Sequence, residues 1–313
     1  MALTLSVIVP THDRPESLAR AVESVLLQTR RPDELILVND GTEDISPDFE
    51  RRATAAGVPC RCIRRRGASS SASRNAGLEA ARGDLAVLVD DDMVLAADYL
   101  SRLASLYEAD TGCLVAGIGA TYALPSPPPM AQRVWDALAA ATAENRWATR
   151  RCAARHVRLP PGLAGRLVPA RRLAGGAMSF RRHVYAATRF TEAFGGYSLG
   201  EDTELSFRIG RTEALFIAPE LVIRHQMPAA GRPDAALRGR MYAANMLYIA
   251  RHSVDGGAGT WLLLSYHLAG LVALAATWSA LSLRGKNLRL AGGIVGELFR
   301  QGAGWLRSLL CGS

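Results

Sequence analysis

A chain of 313 residues suits one large domain plus an appendage. Its 49% hydrophobic and 21% charged content excludes a disordered or low-complexity protein. The formal charge of +8 is concentrated in Arg61, Arg64, Arg65 and Arg66 and again between Arg146 and Arg172, patches suited to phosphates or anionic lipid. No basic-aromatic RNA-binding motif, zinc finger or helix-turn-helix pattern accompanies them, so nucleic acid is not an expected partner. The five cysteines are odd in number and lack metal-ligand spacing. Cys60 and Cys62 share one face of an expected strand and cannot easily bridge, which suits reduced thiols in a cytosolic compartment. The N-terminus begins with a strand-like run and no signal-peptide pattern.

Leu3 to Val9 reads as a buried strand. After it, Asp13 and Glu16 have capping-box spacing, with Pro15 in the first turn of a helix that runs to about Gln28. Leu35 to Val38 is a second strand ending in Asn39-Asp40-Gly41, residues 45 to 56 a helix, and Cys60 to Ile63 a third strand. Ser71 to Ala81 is helical and closes at Gly83. Leu85 to Val89 is apolar without alternation, as in a parallel strand covered on both faces, and it ends in Asp90, Asp91 and Asp92. Helix 97–109 and strand 113–122 follow, and then Pro125, Pro127, Pro128 and Pro129 break the chain. Residues 131 to 153 have a helical pattern, 154 to 172 are basic and loop-like, and a strand resumes through 175–180. A Gly-rich turn from Phe194 leads into a helix carrying Glu201 and Asp202, and two short apolar runs at 214–217 and 221–223 lead to His225. Strand and helix alternate, which predicts a doubly wound, mostly parallel α/β sheet flanked by helices.

Ligand sites in such sheets lie beyond the carboxyl ends of the strands, where the three aspartates fall. Adjacent carboxylates repel, and a divalent cation relieves that repulsion; oxygen donors favour Mg²⁺ or Mn²⁺ over zinc. The plain alternative is that they cap a following helix. Asp40 lies at the same sheet edge, where it can bond a nucleobase imide or ribose or simply serve a turn beside Gly41. Arg74 and Asn75 open a helix, a place that attracts phosphate, although a solvated charge is the competing reading. Ser198 and Glu201 have capping-box spacing, which leaves Asp202 without a capping explanation and makes it the candidate general base. His225 is a candidate third metal ligand or a structural histidine.

The ordered series V-I-V-P-T-H-D-R-P, V-N-D-G, S-R-N-A-G-L-E-A-A-R-G-D, V-L-V-D-D-D, G-G-A-M-S-F-R-R and G-E-D-T-E-L-S-F-R resembles glycosyltransferase family 2 over roughly residues 4 to 228. The resemblance implies a GT-A fold and an inverting, metal-dependent transfer from a nucleotide-diphosphate sugar to a hydroxyl acceptor, in cell-surface polysaccharide, glycolipid or related glycoconjugate synthesis. By it, Pro10, Thr11 and Asp40 would hold the nucleoside, and Arg74, Asn75, Asp90 and Asp91 would lie on the nucleotide-sugar side. Asp90 and Asp92 match the D-x-D pair that holds Mn²⁺ or Mg²⁺, with His225 as the further candidate ligand. Asp202, beside Glu201, matches the catalytic base, and Gly175 and Gly176 match the acceptor-pocket strand. The expected organisation is a catalytic domain over 1–228, with a nucleotide-sugar half to about 122 and an acceptor half from about 123, then a helical appendage over 229–313. The insert at 125–172 departs from the pattern and matches no motif.

In the appendage, Trp261 to Leu283 contains no Asp, Glu, Lys or Arg over 23 residues, and as a helix of roughly 35 Å it is long enough to span a bilayer. Basic residues flank both ends and His267 lies inside, which argues for in-plane or re-entrant attachment instead. From Leu288, apolar residues recur through Ala291, Val295, Leu298, Phe299, Gly302, Leu306, Leu309 and Leu310, opposite Arg289, Arg300 and Arg307. That pattern predicts a helix on an anionic membrane surface, at the cytoplasmic face, with packing on the catalytic domain as the alternative. Two rival functions remain: a non-catalytic nucleotide-sugar or polysaccharide-binding scaffold, and a dinucleotide oxidoreductase. Val9 to Arg14 lacks the G-x-G-x-x-G that the oxidoreductase needs.

Overall fold

The structure is a computed structural model that describes residues 2–67, 69–123, 153–195, 197–226, 234–254, 258–282 and 285–310. The described residues fall into two compact units, the larger comprising 2–123 and 153–226 and the smaller comprising 234–310.

In the larger unit, β1 (Leu5–Thr11), β2 (Glu34–Asn39), β3 (Cys60–Arg64) and β4 (Leu85–Val89) form a parallel set in the order β3-β2-β1-β4. The sheet continues through β8 (Ala177–Arg181), β6 (Gly117–Ala123), β9 (Leu215–His225) and β5 (Met93–Leu95), with β7 (Val168–Pro169) against β9. Apolar runs without alternation make these strands central. Leu5, Val7 and Val9 enter the core on one face, and Ile8 enters the core on the other. Helices α1 (Pro15–Leu26), α2 (Asp48–Ala55) and α4 (Tyr99–Ala109) cover the first face. The second is covered by α3 (Ser70–Ala80), α5 (Arg182–Ala187) and α6 (Glu201–Ile209).

Strand directions decide what meets at the functional edge. β8 runs antiparallel to both β4 and β6, while β6 and β9 are parallel. The C-terminal ends of β1, β2, β4, β6 and β9 therefore share one edge with the N-terminal end of β8. Thr11, Asp40, Asp90 to Asp92, Tyr122, Gly175, Gly176 and His225 all lie there.

Several local expectations give way to tertiary demands. Asp13 does not cap α1. It has φ 50° and its carboxylate accepts from Thr42 N at 2.8 Å, because the turn after β2 offers unpaired amides. Gly41 permits this approach, since a Cβ there would collide with Asp13 Oδ1. Asp90 to Asp92 cap no helix: they lead directly into β5, and α4 begins only after Asp98. The runs at 214–217 and 221–223 are one continuous strand, β9. The 131–152 portion of the expected helix lies outside the described residues, and Ala153–His156 is a short 3₁₀ turn.

At the far edge, Arg181 is buried and bonds Asp110 Oδ2 at 3.0 Å and the carbonyls of Val115 and Tyr107, with its guanidinium 5.0 Å from the Tyr107 ring centroid. Asp110 also accepts from Leu114 N and Val115 N, so both charges are fully engaged.

The smaller unit contains α7 (Ala235–His252), α8 (Ala258–Ser282) and α9 (Gly285–Leu310). Asp234 caps α7 through Ala236 N and Leu237 N. Gly239 of α7 and Gly293 of α9 lie where a Cβ would strike the backbone of the opposite helix, so these helices meet backbone to backbone. Along α9, Ala291, Ile294 and Glu297 are buried, whereas Leu288 and Phe299 of the expected apolar stripe are exposed at 55% and 75%. His267, which interrupts the apolar run, is buried and pairs through Nε2 with Tyr242 Oη at 2.7 Å. Among the described residues no helix is long and apolar enough to cross a membrane.

Replacing Asp110 with Ala leaves the Arg181 charge buried and unpaired, and unfolding by denaturant should show a loss on the order of 3–5 kcal/mol. A change within 0.5 kcal/mol, the usual range for surface substitutions, would mean that the pair adds nothing.

Candidate active site

The site is built around Arg74. Its helix, α3, is capped by Ser69, whose Oγ accepts from Ala72 N at 3.3 Å. Gly77 lets α3 lie directly on β1, since a Cβ there would run into Ile8. One turn earlier, Arg74 is driven into the edge of the sheet and is only 4% exposed. Its Nη1 donates to Glu201 Oε1 and its Nη2 to Asp90 Oδ1, each at 2.7 Å, and the guanidinium lies 5.5 Å from the Phe190 ring centroid. Arg74 is thus a buried clamp between the acidic strand end and α6.

The same contact removes Glu201 from its expected capping box. Gly200, in the left-handed region at φ 93°, is the N-cap of α6, and Ser198 Oγ donates to the Phe194 carbonyl instead. A buried guanidinium needs counter-charge more than the helix needs a side-chain cap, and Glu201 is the acid within reach. Burial pushes the Glu201 carboxyl up to about 7 against the pull of Arg74, and the two carboxylates in turn raise Arg74. Contact at 2.7 Å favours the ionised pair.

Asp202 is held differently. Its Oδ2 accepts from Gly175 N at 3.1 Å and lies 3.7 Å from Arg172 Nε, while Oδ1 accepts from Thr203 N at 2.6 Å. Gly175 and Gly176 precede β8 and lie against the acids. A Cβ on Gly176 would be 2.5 Å from Met93 Cε and 2.9 Å from Asp90 Oδ2. A Cβ on Gly175 would be 3.3 Å from Arg74 Nη2.

The three consecutive aspartates have three environments. Asp90 is bound to Arg74. Asp91 is buried, accepts from Thr11 Oγ1 at 2.8 Å and contacts Arg14 Nη1 at 3.2 Å. Burial pushes its carboxyl up to about 6, with Thr11 and Arg14 pulling the other way. Asp92 Oδ2 lies 3.3 Å from His225 Nε2 and 3.6 Å from Arg14 Nη1. The expected metal set of Asp90, Asp92 and His225 is therefore not gathered as a trio. Among the described residues no three His, Cys, Asp or Glu side chains converge as metal ligands. What is present is an Asp92–His225 oxygen and nitrogen pair.

On the nucleoside side, Pro10 is buried within β1 and the Thr11 hydroxyl is engaged by Asp91. Asp40 is buried, with Oδ2 accepting from Ser69 N at 2.6 Å. Its Oδ1 has no hydrogen-bond donor and lies 4.0 Å from Arg65 Nε. Asn75 bonds Phe190 N and O and Glu192 Oε1 and ties α3 to that loop.

Sequence reasoning missed Arg14, Arg172 and Tyr122. Tyr122 stands 5.9 Å from the His225 ring centroid. The sequence places Arg14 just after the first strand, Arg172 at the end of a basic stretch and Tyr122 at a strand end, and only the register of β6 on β9 brings Tyr122 to the site.

The mostly parallel sheet, with acids at the carboxyl ends of its strands, is that of the GT-A class of fold. The glycosyl transferase family 2 model matches residues 6–160. Glucosyl-dolichyl phosphate glucuronosyltransferase of Haloferax volcanii is 35% identical over 122 residues, 37% of this chain and 37% of that protein. The glycosyltransferase EpsJ of Bacillus subtilis is 33% identical over 99 residues, 32% of this chain and 29% of that protein. The matched region is thus about a third of the length of these relatives. Among solved structures, the mannosyltransferase PcManGT of Pyrobaculum calidifontis, in complex with GDP-Man and Mn²⁺, superposes with a TM-score of 0.59 at 18% identity. That likeness covers 96% of this chain and 88% of the other. Residues 1–349 of S. aureus TarS, in complex with UDP-GlcNAc, superpose at 0.56 with 13% identity, over 96% of this chain and 92% of that one. Residues 6–160 thus form a glycosyltransferase family 2 domain.

Arg74→Met should lose on the order of 3–5 kcal/mol in chemical denaturation, because two carboxylates lose their counter-charge. Adding Glu201→Leu should restore part of that loss, since an apolar pair leaves one fewer buried charge. No recovery in the double variant would mean that Glu201 is not the partner that matters.

Proposed function

We propose that this protein transfers a sugar from a nucleoside-diphosphate donor to a hydroxyl acceptor, with inversion at the anomeric carbon. The observation that carries this reading is the Arg74 bridge, which holds the acidic end of β4 and the Asp202-bearing start of α6 at one sheet edge. A donor between them would have its diphosphate beside Asp92 and His225 and its anomeric carbon on the side of Asp202. Asp202, located by Gly175 N and Thr203 N, takes the proton of the acceptor hydroxyl as that oxygen attacks. Attack on the face opposite the leaving diphosphate, with no covalent intermediate, inverts the centre.

Asp92 and His225 fit a divalent cation of the Mn²⁺ or Mg²⁺ class, which binds through few protein ligands and completes its shell with phosphate and water. Bound there, such an ion would neutralise charge on the departing diphosphate. Asp40 Oδ1, buried without a donor, suits the N–H of a nucleobase or a ribose hydroxyl. A product in cell-surface polysaccharide, glycolipid or related glycoconjugate synthesis is part of this reading, and the relative named a glucosyl-dolichyl phosphate glucuronosyltransferase supports a lipid-linked acceptor.

Asp202→Asn keeps shape and loses the base, so transfer should fall on the order of 10²–10⁴-fold while donor binding by calorimetry persists. Near-normal turnover in that variant would place the base elsewhere. Donor binding without turnover by the unaltered protein on any acceptor would favour a binding scaffold.

We also propose that the smaller unit rests on an anionic membrane surface at the cytoplasmic face. Leu262 and Tyr266 of α8 and Leu288 and Phe299 of α9 are exposed large apolar side chains, with exposed Arg289 and Arg300 beside the latter two. Leu288→Gln with Phe299→Gln should reduce sedimentation with phosphatidylserine vesicles, and rising salt should do the same for the unaltered protein. Undiminished vesicle binding by the double variant would remove α9 from the attachment surface.

A further inference from the structure

We propose that Tyr122 is a positioning residue for His225, its ring fixing the imidazole so that Nε2 faces Asp92. The argument begins with strand register. β6 and β9 are parallel, with Tyr122 opposite Ile223 and Ala123 opposite Arg224. His225 is two residues beyond Ile223, so it rises on the same face as the residue opposite Tyr122. The two rings meet there with centroids 5.9 Å apart and planes tilted by 42°. This separation and tilt fall in the range that aromatic pairs prefer over a face-to-face sandwich.

His225 needs such a support. It is the last residue of β9, and the torsion that turns its ring is a broad, roughly two-fold one. Across the ladder it is opposite Met93, the first residue of β5, which fixes its backbone but not the plane of its ring. Asp92 Oδ2, 3.3 Å from Nε2, holds one edge of the imidazole, and the Tyr122 ring stands against it as well. A ligand ring oriented by a neighbour loses less freedom when it binds an ion.

The inference rests on the reading of Asp92 and His225 as cation ligands, and the test separates the two. The 313-residue chain is titrated with Mn²⁺ alone, and bound and free ion are read by electron paramagnetic resonance. The set comprises the unaltered chain, Tyr122→Phe, Tyr122→Leu, His225→Ala and the Tyr122→Leu/His225→Ala pair, each confirmed as folded by thermal melting. Tyr122→Leu keeps apolar volume but lacks the ring, and should weaken Mn²⁺ binding by about 10–100-fold, the usual effect of losing a residue that orients a ligand. Tyr122→Phe should restore it, and Tyr122→Leu should have no further effect once His225 is Ala. Equal losses from Tyr122→Leu in both backgrounds, or a Tyr122→Phe as weak as Tyr122→Leu, would overturn the positioning role. Unchanged Mn²⁺ affinity in His225→Ala would overturn the cation reading itself, and the inference with it.

Discussion

Taking a guanidinium out of water requires negative charge at contact distance, and Arg74 meets that requirement with two acids from distant parts of the chain. Asp90 is 16 residues away and Glu201 is 127 away, yet each is 2.7 Å from its own nitrogen. Movement of either acid would take from Arg74 one of its two hydrogen-bonded counter-charges. The planar fork of arginine suits this task, since a lysine would present a single point charge to both. The end of β4 and the start of α6 are therefore fixed relative to each other. Gly175 and Gly176 follow from the same constraint, because a side chain at either position would crowd the clamp or Asp90.

With that frame fixed, neighbouring acids acquire different chemistry from their surroundings. Asp90 serves the clamp. Asp91 turns inward to Thr11 and Arg14 and is the most desolvated of the three. Asp92, at the start of the link to β5, reaches His225. Asp90 to Met93 form a turn closed by Met93 N donating to the Asp90 carbonyl, and the turn sends the three carboxylates to different partners. Glu201 and Asp202 divide in the same way, one drawn inward by Arg74 and the other held by backbone amides.

The smaller unit follows another logic. Its close approach is made by glycines, Gly239 on α7 and Gly293 on α9, that bring backbones together where larger residues would hold them apart. Because those glycines set the rotation of α9, they decide that Ile294 and Glu297 face inward and that Leu288 and Phe299 face out. The tight pairing also orients the exposed arginines: Arg289 and Arg300 lie beside the exposed apolar residues.

The alternation of apolar strands and helices, the position of the acids at strand ends and the motif order that marks the family were all legible in the sequence. Apolar runs such as Leu85 to Val89 report burial on two faces directly, because a half-exposed strand would alternate. Local spacing misled where a stronger tertiary partner competed. Asp13 and Glu201 have capping spacing, but one is drawn to the amides of Thr42 and Glu43 and the other to a buried arginine. The burial of Arg74 left no local signal, because α3 lies on β1 only through Gly77. Tyr122 carried no signal, since its place beside His225 arises from the pairing of strands nearly a hundred residues apart. Sequence determined which chemical groups are present and at which edge of the sheet they emerge. Only the tertiary structure decided which of them are occupied with one another, because that depends on burial and on contacts between residues far apart in the chain.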